Sequence, residues 1–261
     1  MTELKMAFTG VKEGNMSFSH GDCLSVINNR LAVALREGFG LFGRRGMKLV
    51  PHGFSPELVH GDGITIVKES EREKYDGVGI AKKSSIRADA VITNLKNFPV
   101  LFPNADCFPV VLHCIERDVL AVIHSGRNGT LKNITGAAAS SMWAEFGCQP
   151  KNIRAYIFPG ICADCYVHHA LSVFVPRYLQ DCITKNLAGV SFDLRRMILR
   201  QLKKAGIEHI VFPTGGYNLE CTCHTRNGDA AKYFSAFGFD KQIPGHEIRG
   251  NNAIFVEMSE V

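Results

Sequence analysis

The chain has 261 residues, 46% hydrophobic and 21% charged, which is enough apolar content for a substantial core at the charge density of an ordinary globule. Its net charge of +5 is mild, and no block of about five or six like charges marks a nucleic-acid-binding arm. Met1-Thr2-Glu3-Leu4-Lys5 lacks a signal-peptide core, and no apolar stretch approaches the roughly 18 residues of a membrane span, so a cytoplasmic protein with its nine cysteines reduced is expected rather than a disulfide framework.

Asp22 reads as the N-cap of a helix from about Cys23 to Arg36, with Leu24, Ile27, Leu31 and Leu35 on one face. Ile64 to Lys68 and Ala88 to Thr93 read as strands. Pro109 to Cys114 and Val119 to His124 are apolar, β-branched runs separated by Glu116-Arg117-Asp118, a hairpin pattern. Leu131 to Phe146 reads as a helix that opens after the loop Ser125-Gly126-Arg127-Asn128-Gly129-Thr130. Asn152 to Phe158 reads as a strand ending at Pro159-Gly160. Leu171 to Cys182 is helical in pattern, with Pro176 set to kink it or shift its start. Asp193 caps a helix through Lys204, which Gly206 ends. Ile207 to Phe212 and Ala253 to Glu257 are the last strands, and Gly215-Gly216 reads as a turn. With no repeat, low-complexity segment or linker, residues 1–261 are expected to form a single domain. The fold class is α+β, with mixed β-sheets, a hairpin and flanking helices; the hairpin argues against a purely parallel sheet.

Three side chains stand where strands hand over to loops. They are His60 in Val59-His60-Gly61, Cys107 in Ala105-Asp106-Cys107-Phe108-Pro109, and His124 in Ile123-His124-Ser125-Gly126. Taken singly, each has an ordinary use, as a hydrogen-bonded histidine or a small buried thiol. Taken together, two imidazoles and a thiolate make a three-ligand set that leaves a fourth tetrahedral position open, the mark of catalytic zinc. Cys107 and His124 flank the hairpin, which can bring them side by side.

Several blocks in order along the chain resemble one family. They are Asn15-Met16-Ser17-Phe18-Ser19-His20-Gly21-Asp22 with Asn28-Asn29-Arg30, Val59-His60-Gly61, Ala88-Asp89-Ala90-Val91-Ile92-Thr93-Asn94, Ala105-Asp106-Cys107-Phe108-Pro109-Val110, and His124-Ser125-Gly126 through Gly129-Thr130. Phe158-Pro159-Gly160-Ile161, Cys165-Tyr166, Phe192-Asp193-Leu194, Gln201-Leu202 and Cys221-Thr222 follow. The pattern resembles the YfiH-type laccase-domain proteins, also called multicopper polyphenol oxidase-like, over nearly the whole chain. The resemblance implies a YfiH-like fold, zinc (Zn2+) held by His60, Cys107 and His124, phosphorolysis of purine nucleosides, and adenosine deamination. Its implied partners are therefore small molecules, a purine nucleoside and phosphate, with no nucleic acid and no membrane.

The chain departs from the family pattern on the substrate side. Leu58 replaces the usual Gln, Arg127-Asn128 replaces Trp-Arg, Val167 replaces the acid after Cys165-Tyr166, and Phe234-Ser235-Ala236-Phe237-Gly238 lacks the usual Arg-Arg-Asp-Gly. Arg127, beside His124, is the first candidate for a phosphate contact, helped by the helix start that follows it; Arg249 is the second. Asp106 is a candidate acid/base or a support for its neighbour, although a regular strand would point it away from Cys107. True laccase chemistry is disfavoured: it needs about ten histidine ligands, usually in His-x-His pairs, and the chain has ten histidines in all and no such pair.

Two other enzymatic or binding readings stay open. Cys107 and His124 can serve as nucleophile and base of an amidase acting on peptidoglycan precursors, since the family shares its fold type with cysteine-dependent deamidases. A catalytically inactive member that binds a nucleotide is the other. A second metal site is also a possibility, built from Cys162-x-x-Cys165 and Cys221-x-Cys223-His224.

Overall fold

The computed structural model describes residues 2–45, 48–169, 173–187, 189–214, 220–223 and 231–260. Its centre is a mixed six-stranded sheet in the spatial order His209–Val211, Ile153–Ile157, Phe108–Cys114, Val119–Ser125, Ala90–Thr93 and Ile64–Val67. The two outermost pairings are parallel and the inner ones antiparallel. A second sheet orders Thr2–Phe8, Asn252–Glu260 and Val100–Asn104. Val167–His168, Gly189–Phe192 and Ile183–Asn186 form a small third sheet, and Phe42–Arg45 pairs with Lys48–Pro51.

Side chains alternate across a strand, so a strand buried on both faces must be apolar throughout. The hairpin strands obey this. Val110, Leu112, Ala121 and Ile123 pack with Ile134, Ala138, Met142, Met197 and Ile198 of two helices, Ile134–Phe146 and Leu194–Lys204. Their neighbours Val111, Leu120 and Val122 point the other way, onto Val100, Phe102, Ile254 and Val256 of the second sheet. The far face of that sheet offers Leu101, Ala253 and Phe255 to Val33 and Ala34 of the helix Cys23–Glu37. The result is four layers: helices, sheet, sheet, helix. The mixed sheets, the hairpin and the flanking helices are as the sequence pattern predicts.

Several boundaries and faces differ from the sequence expectation. The helix Cys23–Glu37 forms, and the Asp22 carboxylate accepts from Ser25 N–H at 2.9 Å. Its buried face, however, is Val26, Arg30, Val33 and Ala34, while Leu24 and Leu35 are exposed. The helix expected from Leu131 is split. Arg127–Leu131 already forms one turn of helix inside the supposed loop, Asn133 turns left-handed at φ 64°, and a second helix runs from Ile134 to Phe146. The helix expected at Leu171 to Cys182 reduces to a 3-10 turn, Arg177–Cys182, because Pro176 is extended; residues 171–172, like the Gly215-Gly216 turn, lie outside the described residues. Asp193 caps Leu194–Lys204 as expected, accepting from Arg196 N–H at 2.9 Å. No helix among the described residues is long and apolar enough to cross a membrane.

Arg30 explains the unexpected helix face. Its side chain is buried, with Nε and Nη2 donating to Met16 O at 3.0 and 2.6 Å and Nη1 donating to Gly79 O and Ile80 O at 2.7 and 2.8 Å. One guanidinium thus ties the helix to two loops and satisfies three carbonyls that water cannot reach. Replacing it with methionine keeps the volume and strands the carbonyls. Since each stranded buried group costs about 1–3 kcal/mol, Arg30→Met is expected to lower the unfolding free energy by about 3 kcal/mol or more in urea titration. An unchanged midpoint would show that the carbonyls find other donors.

Candidate metal centre

The ladder register builds the site. Ala90 pairs with Ile123, so Asp89 falls beside His124, and His124 N–H donates to Asp89 O at 2.8 Å. Phe108 pairs with Ser125, so the next position along sets Cys107 against Gly126. The third residue, His60, enters from the loop before Ile64–Val67 and takes a left-handed backbone, φ 57°. One ligand atom each from His60, Cys107 and His124 lies within 4.8 Å of the others. The two imidazoles meet edge to face, with ring centroids 4.9 Å apart. His60 is exposed, Cys107 half-buried and His124 buried.

Asp89 organises this group although sequence reasoning assigned it no role. Its carboxylate is fully buried and accepts from His60 N–H at 2.9 Å and Gly61 N–H at 2.7 Å. It also lies 2.9 Å from His124 Nδ1. That contact fixes the ring's orientation and leaves Nε2 for the centre. Burial by itself would raise the Asp89 carboxyl, but His124 and the two backbone donors outweigh it and hold it below its ordinary value. The available signal was a carboxylate at the mouth of an otherwise apolar strand, Asp89-Ala90-Val91-Ile92.

Two glycines make room. A Cβ on Gly126 would stand 2.9 Å from Cys107 Sγ and within van der Waals reach of both imidazoles. A Cβ on Gly129 would strike Gly61 O at 2.6 Å, so the His60 loop closes only against a bare backbone. Gln201, buried, braces this turn by donating to Thr130 O and accepting from Thr135 Oγ1.

Three borderline-soft donors, an open fourth direction and an oriented imidazole fit a tetrahedral zinc ion. A copper ion also takes two histidines and a cysteine, so the donor set makes this a candidate metal site and does not name the metal. Without metal, burial would raise the Cys107 thiol, but the charge and hydrogen bond of His124, aided by His60, bring it down to about 7. In turn burial would lower His124, but the Cys107 thiolate and Asp89 raise it to about 10. The metal-free centre is a thiolate–imidazolium pair.

The other site expectations fare differently. Asp106 does not face the centre. Its backbone is left-handed, φ 74°, and its buried carboxylate accepts from Thr222 Oγ1 at 2.7 Å, Ser235 Oγ at 2.6 Å and Phe237 N–H at 2.7 Å. With its oxygens taken up by these donors, it braces the turn that carries Cys107 rather than facing the centre. Arg127 is half-buried, 3.4 Å from the His168 ring through Nη1, with Nε buried and partnerless. No carboxylate pairs with it among the described residues. Arg249, by contrast, is 4.0 Å from Asp240. Arg249 lines a cleft of about 310 Å³ that is also bordered by His60, His124, Asn104 and Asn251; Arg127 is not among its lining residues. The two arginines therefore do not share one pocket.

Residues 10–248 match the family described as multi-copper polyphenol oxidoreductase laccase. A purine nucleoside phosphorylase of Clostridium acetobutylicum is 33% identical over 130 residues, 49% of this chain and 55% of the relative. An adenosine deaminase of an unknown prokaryotic organism is 28% identical over 194 residues, 71% of this chain and 69% of the relative. In structure the chain is similar to YlmD of Geobacillus stearothermophilus, with a TM-score of 0.74 at 20% identity, covering 99% of this chain and 92% of that one.

The metal-free pair predicts a titration. Below its pKa Cys107 is a protonated, unreactive thiol; above it the thiolate reacts. Alkylation of Cys107 by iodoacetamide in chelator-treated protein should therefore rise with a midpoint near 7, against roughly 8.5 for an unperturbed cysteine. Asp89→Asn should weaken metal affinity about 10–100-fold, measured by chelator competition. A variant that binds metal as tightly as the parent would remove Asp89 from the site.

Proposed function

The chain belongs to the multi-copper polyphenol oxidoreductase laccase family, and on that premise we propose that it is a zinc-dependent purine nucleoside phosphorylase acting on adenosine and inosine, with adenosine deamination at the same centre. The observation that carries this reading is the His60–Cys107–His124 set, two of whose members, His60 and His124, line a cleft of about 310 Å³. That volume falls within the roughly 300–1,000 Å³ usual for small-molecule sites. The relatives named for these two activities support the substrate class. Asn104 Oδ1 and Asn251 Oδ1 are buried without partners at the cleft, ready to accept N–H or O–H groups from a purine or ribose.

Bound zinc would supply a Lewis acid for an oxygen of phosphate or water. Arg127, beside the His168 ring and without a carboxylate partner among the described residues, is suited to hold a phosphate. Asp89 keeps His124 in one orientation while charge builds at the centre. In phosphorolysis the C1′–N9 bond breaks, a phosphate oxygen bonds to C1′, and the purine leaves with a proton. In deamination water adds at C6 and ammonia leaves.

A second reading has its own observation. Cys107, His124 and Asp89 also form the chain nucleophile, base and orienting carboxylate of a cysteine amidase. Metal removal distinguishes the two. Inosine with phosphate should yield hypoxanthine and ribose 1-phosphate, and adenosine without phosphate should yield inosine. A chelator should abolish both and zinc restore them, and Arg127→Ala should raise the phosphate KM about tenfold or more, about 1.4 kcal/mol of binding. Amide hydrolysis that survives chelation and dies with one equivalent of iodoacetamide would replace the proposal with the amidase. A nucleoside that raises the melting temperature without turnover would leave an inactive binding member.

A further inference from the structure

Away from this centre, four cysteines converge. Cys162 and Cys165 sit on one turn, closed by Tyr166 N–H donating to Cys162 O at 3.0 Å. Cys221 and Cys223 sit on a segment far along the chain. A β-bridge between Gly160 and Cys221 joins the two, and Thr222 N–H donates to Gly160 O at 3.2 Å. The sulfurs of Cys162, Cys165 and Cys221 lie within 4.8 Å of one another. The Cys165 thiol is in hydrogen-bonding contact with Cys162, Cys221 and Cys223. In a tetrahedral zinc–sulfur site the sulfurs stand about 3.8 Å apart, given zinc–sulfur bonds of about 2.3 Å, so three of the four are already close to ligating separation.

We infer that Cys162, Cys165, Cys221 and Cys223 bind a second, structural zinc ion as four thiolates, closed to solvent chemistry and separate from the His60–Cys107–His124 centre. The surroundings fit thiolate. Cys162 N–H donates to Cys221 Sγ at 3.1 Å, the kind of backbone bond that stabilises a sulfur anion. Ile161, Tyr166, Phe237 and Ile243 pack around the sulfurs and shield them. The spacing, Cys-x-x-Cys followed by Cys-x-Cys, supplies four ligands from two loops, leaving no open position for a substrate. Binding releases the thiol protons to solvent and involves no electron transfer.

The ion's work is positional. Thr222, held between two ligands, donates to Asp106 at 2.7 Å, and Asp106 precedes Cys107. The same Asp106 takes Ile161 N–H through its carbonyl at 2.7 Å, one residue before Cys162. The thiolate knot thus staples both loops that brace the turn carrying Cys107.

Metal analysis of protein purified under reducing, chelator-free conditions tests this. The parent chain should carry about two zinc equivalents. Cys165→Ser and Cys223→Ala should each lose about one, while Cys223→His, which keeps a common zinc ligand, should retain it. Should the serine variant fail to fold, cobalt substitution of a His60→Ala/His124→Ala variant provides the second readout. It should keep the intense sulfur-to-cobalt charge-transfer band of a thiolate-rich tetrahedral site. A parent with about one equivalent that disappears in His124→Asn and is untouched by Cys165→Ser would overturn the inference. So would a disulfide within the four cysteines, found by mass mapping under the same conditions. One equivalent lost with Cys165→Ser but not with His124→Asn would uphold it and instead remove zinc from the proposed catalytic centre.

Discussion

The Asp89 carboxylate is the constraint on which the site depends. It is fully buried, and a buried charge is tolerable only when its lone pairs are filled. Three groups fill them: two backbone N–H groups from the His60 loop and the His124 ring. The same bonds that satisfy the charge bring a loop from outside the hairpin onto the end of a central strand. Removing the charge would release His60 and His124 together. The Cys107 side is held by a different carboxylate, Asp106, which reaches away from the centre to the segments around Thr222 and Ser235. Two acids, facing opposite ways, thus frame three ligands.

The fold was legible where burial dictates pattern. The hairpin strands are covered on both faces, so their apolar runs were unmistakable, and the caps Asp22 and Asp193 marked helix starts that the structure retains. It was less legible where a polar group does a core residue's work. A helical face drawn through leucines missed Arg30, because a guanidinium that satisfies carbonyls is buried for a reason hydropathy does not carry. The split at Asn133 and the collapse of the segment at Pro176 are backbone effects, legible only once φ is known.

Much the same division runs through the site. His60, Cys107 and His124 stood out because each ends a strand or borders a glycine. Asp89 was hidden inside the run Ala88 to Thr93 read as a strand, and its importance lies in a register between elements distant in sequence. Asp106 was visible, but its direction depends on a left-handed φ that a regular strand would not have. The arginines were visible as charges; the structure separates their environments, Arg249 pairing with Asp240 at the cleft and Arg127 lying outside it with no carboxylate partner among the described residues.

His124 lies at the end of a central strand and Cys107 directly precedes its neighbour, whereas the cleft is walled largely by loops such as those carrying Phe18, Leu58 and Asn251. Loops tolerate exchange and insertion far better than doubly covered strands do. A scaffold of this kind can retune what it recognises without dismantling its chemistry. A change such as Leu58 therefore alters the wall of the cleft while leaving the His60, Cys107 and His124 arrangement in place.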